Sequence, residues 1–192
     1  MTSAAVELRV ATTDDARAVA EIYGPIVRET AISFEIDAPT TNEMAGRIAR
    51  TLATHPWFVA EKGDTIVGYA YGSEHRSRRA YRWSCDVSVY VAAAARGHGV
   101  GRALYRPLLT TLADQGFTAA FAGITLPNPA SIGLHEHLGF TPVGVFRDVG
   151  FKHGAWHDVG WWRRPLALPD PAPREPVPFM NHRRGRAFFG KD

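Results

Sequence analysis

The sequence holds one cysteine, Cys85, so no intramolecular disulfide braces it. It lacks any stretch approaching ~20 consecutive apolar residues, the length a bilayer-spanning helix requires. Its start, Met-Thr-Ser-Ala-Ala-Val before Glu7, has neither a basic leader region nor an apolar run. These absences lead to the expectation of a soluble, cytoplasmic protein with no membrane partner. Neither sign of charge is in large excess: the formal net charge is +3 and the isoelectric point is near 9.2. That balance suits an anionic coenzyme or a nucleic acid without choosing between them. Two nucleotide motifs are missing as well. A Gly-x-Gly-x-x-Gly run from Gly97 would end in glycine, but Arg102 stands there, and no Gly-Lys-Ser/Thr follows a glycine loop. No metal centre is expected. His135 and His137 are two apart on a predicted helix and point in different directions, while His153 and His157 flank a glycine turn. A cysteine hydrolase is also disfavoured, because Cys85 and Asp86 alternate to opposite sides of a predicted strand.

What is present is enough for one core. With 192 residues, 45% of them hydrophobic, the chain predicts one catalytic domain over residues 6–166 and an appendage over 167–192. Glu7 to Ala11 reads as a strand. Thr12-Thr13-Asp14-Asp15 and Thr40-Thr41-Asn42-Glu43 have the spacing of capping boxes ahead of two amphipathic helices. Trp57 to Glu61 and Thr65 to Tyr71 form a hairpin, and Trp83 to Val91 is a long central strand. Helical spacing resumes at Ala103, Leu104, Leu108 and Leu112, with Pro107 predicting a kink or an early end. Phe117 to Thr125, a short helix opened by Asn128, and two closing strands complete the pattern. The proline-rich segment from Pro165 to Pro178 predicts a flexible or partner-docked extension, ending in the basic run His182 to Arg186.

Between the central strand and the third helix lies Arg96-Gly97-His98-Gly99-Val100-Gly101-Arg102. Missing side chains let backbone N–H groups approach an anion, and the helix dipole adds to the attraction. Alone, such glycines are equally a tight turn. Asp86 sits in an apolar strand and needs either a partner, for which Arg82 is the candidate, or a purpose as a general base. Arg76, Arg78, Arg79 and Arg82 form a cluster whose planar donors suit a carboxylate or phosphinate, unless the loop is simply solvated.

Together, the glycine loop after a Val-x-Val strand end and an Asn-opened helix ending Leu138-Gly139-Phe140 resemble the GNAT acetyltransferase superfamily. Ala31-Ile32-Ser33-Phe34-Glu35, Ala80-Tyr81-Arg82-Trp83, Leu134-His135-Glu136 and Gly150 to Val159 resemble its phosphinothricin acetyltransferase subfamily. The resemblance implies an α+β, three-layer GNAT fold, with a mixed, mostly antiparallel sheet of about seven strands and about four flanking helices. It implies direct acetyl transfer from acetyl-CoA to the α-amine of a small acidic amino-acid analogue such as phosphinothricin or methionine sulfoximine, in a homodimer.

Its implied residues follow position by position. Arg96, Gly97, His98, Gly99, Val100, Gly101 and Arg102 would hold the coenzyme pyrophosphate, while Val89, Tyr90 and Val91 would present backbone to the thioester. Asn128 would touch the coenzyme arm, although it reads equally as a helix cap. Phe34, Arg76, Arg78 and Tyr90 would bind the substrate. Asp86 would be the base, one methylene shorter than the glutamate that the family pattern carries, which favours a water relay. His135 would protonate the thiolate or would be a packed histidine. Nucleic acid is not an expected partner; the basic tail reads equally as a solubilising end.

Overall fold

The computed structural model describes residues 6–189. Seven strands form one sheet in the order β1-β2-β3-β4-β5-β7-β6: β1 Glu7–Val10, β2 Trp57–Lys62, β3 Thr65–Glu74, β4 Ser84–Val91, β5 Ala119–Thr125, β6 Thr141–Lys152 and β7 Ala155–Pro165. Every neighbouring pair is antiparallel except β4 and β5, which run parallel. The helices are α1 Ala16–Glu29, α2 Thr41–Thr54, α3 Val100–Gln115, α4 Pro129–His137 and the short α5 Arg183–Phe189.

The caps form as their spacing predicts. The Glu43 N–H donates to Thr40 Oγ1 at 3.2 Å and the Thr40 N–H donates to Glu43 Oε2 at 2.8 Å, which starts α2 by satisfying two otherwise orphaned donors. Near α1, the Thr12 N–H donates to Asp15 Oδ2 at 2.7 Å, and Arg9 grips the same carboxylate.

The sheet separates two apolar layers. Cys85, Val87, Leu104, Tyr105, Leu108, Ala120, Ala122 and Ile124 belong to the α3 side, whereas Val19, Tyr23, Met44, Ile48, Trp57 and Tyr69 belong to the α1/α2 side. Packing on the α3 side explains why the early helix end expected at Pro107 does not occur. α3 runs unbroken from Val100 to Gln115. A proline inside a helix costs about 3 kcal/mol, but burial of a large apolar side chain contributes roughly 1.5–3 kcal/mol. Leu104, Leu108 and Leu112 are each fully buried, so tertiary contact outweighs the local penalty.

Over its described residues the extension packs on the domain itself rather than hanging free. Phe179 is fully buried in the α1/α2 layer, and Gln115 Nε2 donates to the carbonyls of Val177 and Thr54 at 2.7 and 2.9 Å. Trp83 Nε1 donates to the Arg174 carbonyl at 2.8 Å. Prolines prevent a regular element over most of this segment, as expected, but extended chain is still held where side chains reach its carbonyls. The fifth helix, beyond the four anticipated, lies in this tail. None of the described helices is long and apolar enough to cross a membrane.

Candidate active site

β4 and β5 pair only over Ser84–Asp86 and Ala119–Phe121. Beyond Asp86 they part, because β4 continues along β3 as far as Val91 while β5 continues along β7. A wedge-shaped slot opens through the sheet, lined among others by Ser88, Tyr90, Tyr105, Gly123, Asn128 and His135. Strand alternation sends Cys85, Val87, Val89 and Val91 toward α3 and leaves Asp86, Ser88 and Tyr90 on the opposite face, as predicted. Phe121, Gly123 and Thr125 share that second face from β5. Asp86 and Phe121, the last paired residues, form the apex of the wedge.

The expected Asp86–Arg82 pair is not made. Arg82 donates to both oxygens of Glu175 at 2.6 and 2.7 Å and lies 3.7 Å over the Trp83 ring. Asp86 Oδ1 instead meets His75 Nδ1 at 2.6 Å. Burial raises the Asp86 carboxyl above its usual pKa, while the His75 hydrogen bond and the Arg76 charge oppose that rise. The His75 ring stacks on Phe121 with centroids 4.3 Å apart and stands edge-on to Trp161 at 5.9 Å. Reading the sequence missed His75, because β3 was expected to stop near Tyr71. It runs to Glu74, which carries His75 alongside Asp86; only strand register reveals this.

At the other wall, His135 Nδ1 lies 2.7 Å from the Ser131 carbonyl, which fixes that nitrogen as the N–H donor. Nε2 therefore accepts from the Tyr105 hydroxyl at 2.9 Å. His135 is 3% exposed, and burial lowers its pKa below the ordinary histidine value. Burial correspondingly pushes the Tyr105 phenol up, so the protonated group facing the slot is Tyr105. Tyr105 also escaped the sequence reading, since its position on α3 blends with the leucine stripe.

The glycine loop has the geometry of an anion cradle. Gly97 and Gly99 adopt φ +76° and +79°, a region that L side chains rarely occupy. Gly99 caps α3, so the first-turn amides of Val100, Gly101 and Arg102 have no partner within the helix. The loop is braced by Arg96 Nε on the Val91 carbonyl and by His98 Nδ1 on the Arg96 carbonyl, at 3.2 and 2.7 Å. Gly101 also admits α4: a Cβ there would lie 3.1 Å from Leu134 Cδ2. Asn128 caps α4, accepting from the Ser131 N–H at 3.1 Å, and also lines the slot.

Of the candidate substrate residues Phe34, Arg76, Arg78 and Tyr90, Tyr90 alone is among the slot's lining. Phe34 covers Gly150, 6.2 Å from the His157 ring. Its loop is tied to β6 by Lys152, whose buried Nζ donates to the carbonyls of Val27, Ser33 and Glu35 at 2.6–2.7 Å. Arg76 lies 5.5 Å over Trp161. Arg78 is exposed at the start of the helical turn Arg79–Tyr81, and Tyr90 packs edge-on against Tyr23 at 5.0 Å. Cys85 is buried and donates to the Ala119 carbonyl. Among the described residues, no group of three or more His, Cys, Asp or Glu side chains is placed to hold a metal.

Residues 8–161 match the model of the acetyltransferase (GNAT) domain family. The chain belongs to that family. As a GNAT protein it is 40% identical to phosphinothricin N-acetyltransferase of Streptomyces viridochromogenes, over 90% of this chain and 93% of that one. It is 36% identical to the L-methionine sulfoximine/L-methionine sulfone acetyltransferase of Salmonella typhimurium, over 85% and 98%. Among solved structures, a GNAT phosphinothricin acetyltransferase from Sinorhizobium meliloti in complex with AcCoA superposes with a TM-score of 0.83 at 34% identity, covering 91% of this chain and 98% of that one. The seven-stranded mixed sheet is thus a GNAT fold.

Proposed function

We propose that this acetyltransferase moves the acetyl group of acetyl-CoA onto the α-amine of a small acidic amino-acid analogue, of the phosphinothricin or methionine sulfoximine kind. The observation carrying this reading is the slot: the strand end that lines it runs on into the glycine loop, and the half-buried Asp86 carboxylate stands at the apex where β4 and β5 part. The amides of Val100 to Arg102 suit the pyrophosphate, and backbone freed from β5 along Val89–Val91 presents N–H groups to the thioester oxygen. Proton acceptance from the ammonium falls to the Asp86–His75 pair. Proton donation to the departing sulfur falls to Tyr105, whose hydroxyl turns from His135 Nε2 to the thiolate as the C–S bond breaks. Arg76 meets the acidic head group and Phe34 walls the pocket.

The test is thiol release from acetyl-CoA against phosphinothricin, methionine sulfoximine and methionine sulfone, with a polyamine and a peptide amine as contrasts. Turnover confined to the amino-acid analogues is expected. Coenzyme binding with no turnover on any amine would instead make the protein a sensor. A cytoplasmic setting accords with the intracellular supply of the coenzyme.

A homodimer is part of the same proposal. Phe151, Trp156, Val143 and Phe146 are 58%, 62%, 60% and 49% exposed on the β6–β7 hairpin. Exposed apolar side chains on one hairpin support an association surface, and β6 is the sheet's edge strand.

A further inference from the structure

We propose that the base is a histidine–aspartate dyad in which His75, held by Asp86, is the atom-to-atom acceptor of the amine proton. The inference rests on the acetyl-transfer reading of the slot and assigns that reading a residue it leaves open.

Three observations support it. Asp86 Oδ1 is engaged by His75 Nδ1 at 2.6 Å, so one carboxylate oxygen is already committed to the imidazole. The pair lies at the wedge apex, on the face that Ser88, Tyr90 and Gly123 share. One strand repeat, about 7 Å, separates Asp86 from Ser88 at the slot wall. Finally, the imidazole is fixed in orientation by Phe121, Trp161 and Tyr81, and Arg76, the candidate anchor for the acidic head group, follows it directly in sequence and lies over the same Trp161. A substrate held by Arg76 places its amine beside His75.

With Nδ1 donating to Asp86, Nε2 carries the lone pair. The substrate ammonium gives one proton to Nε2, and Asp86 stabilises the imidazolium that forms. The freed nitrogen lone pair attacks the thioester carbonyl carbon. The C–S bond then breaks with its electron pair on sulfur, the thiolate takes the Tyr105 proton, and the nitrogen's surplus proton restores Tyr105. Amide and free thiol leave, and one proton remains on His75 for solvent. The titratable and charged groups facing His75 are Asp86 from β4 and, from its own loop, Arg76 and Tyr81; Phe121 of β5 and Trp161 of β7 add none.

His75→Gln keeps a side-chain donor for Asp86 but accepts no proton. With methionine sulfoximine as amine, kcat at neutral pH should fall about 10²-fold or more, with KM for acetyl-CoA unchanged. The deficit should shrink above the pKa of the substrate amine, where free amine is supplied by solution. Imidazole added to His75→Ala should restore part of the rate. Wild-type kcat and pH profile in His75→Gln would overturn the dyad. So would an equal loss at every pH with no imidazole rescue, which a structural pair predicts. Wild-type protein that releases no thiol with any amine of the panel would sink the acetyl-transfer reading and the dyad with it, an outcome distinct from the variant results.

Discussion

A polar side chain in this fold acquires its chemistry from the atom it faces. His135 carries its proton on Nδ1 because the Ser131 carbonyl lies one helical turn back, and that choice turns Tyr105 into a donor. Tyr105→Phe should lower kcat with little change in KM for acetyl-CoA, as steady-state thiol release would show. The same change strands a buried histidine acceptor, so stability should fall by about 1–3 kcal/mol in a denaturant titration. His55 presents the opposite case, stacked on Phe117 at 5.1 Å and lowered by burial to about 4. The unfolded chain takes up this proton near the reference value of about 6.5, and the folded chain only near the lower one. Between those values folding therefore loses stability as pH falls, by up to roughly 3 kcal/mol. Asp15 and Glu35, whose pKa values are lowered by Arg9 and Arg47, act at still lower pH, through their own folded-state values. His55→Phe keeps the stacking and should flatten the Tm-against-pH curve above pH 4.

Among elements, the loop between α1 and α2 is the one whose order is imposed from outside. Lys152 on β6 supplies three donors to its carbonyls and to the end of α1, and burial lowers the ammonium's pKa against the opposing Glu35 charge. Glu35 in turn is held by Arg47 and by the Tyr23 hydroxyl. Phe34, carried between these anchors, rests on Gly150, where a Cβ would overlap its ring. Gly150→Ala should therefore displace Phe34 and raise KM for the amine while leaving that for acetyl-CoA unchanged, because the coenzyme cradle belongs to α3. Equal changes in both KM values would show that the loop does not belong to the amine pocket.

For the whole molecule, two surfaces decide how the domain is completed. The tail closes one of them: Phe179→Ala should cost about 3–5 kcal/mol, visible as a lower Tm, with kcat retained in the folded fraction. Unchanged stability would return the tail to the status of a loose appendage. The other is the apolar β6–β7 hairpin. If the hairpin forms the proposed dimer, wild type should sediment as a dimer and Trp156→Glu as a monomer, since a C2 interface buries the same side chain twice; a monomeric wild type would overturn the dimer.

Much of this was written locally. The period-2 pattern of β4, the Thr40–Glu43 cap and the glycine loop each depend on residues within a few positions of one another, and they fold as their spacing demands. Alternation alone placed Asp86 and Tyr90 on one face. What alternation could not supply was any pairing across long separations. Asp86 chose His75 over Arg82 because β3 extends three residues past Tyr71, and Arg82 was taken by Glu175, 93 positions away. Tyr105 became a site residue only when α4 set His135 against it, 30 positions on. The tail's prolines correctly ruled out regular structure over most of its length, yet its docking depended on Gln115 and on a space for Phe179 that α1 and α2 leave open. Sequence determined the elements, their faces and the family because those follow from neighbouring residues. Only the tertiary structure decided which polar atoms share a proton, since hydrogen bonds are settled at a few ångströms, a distance that chain order does not encode.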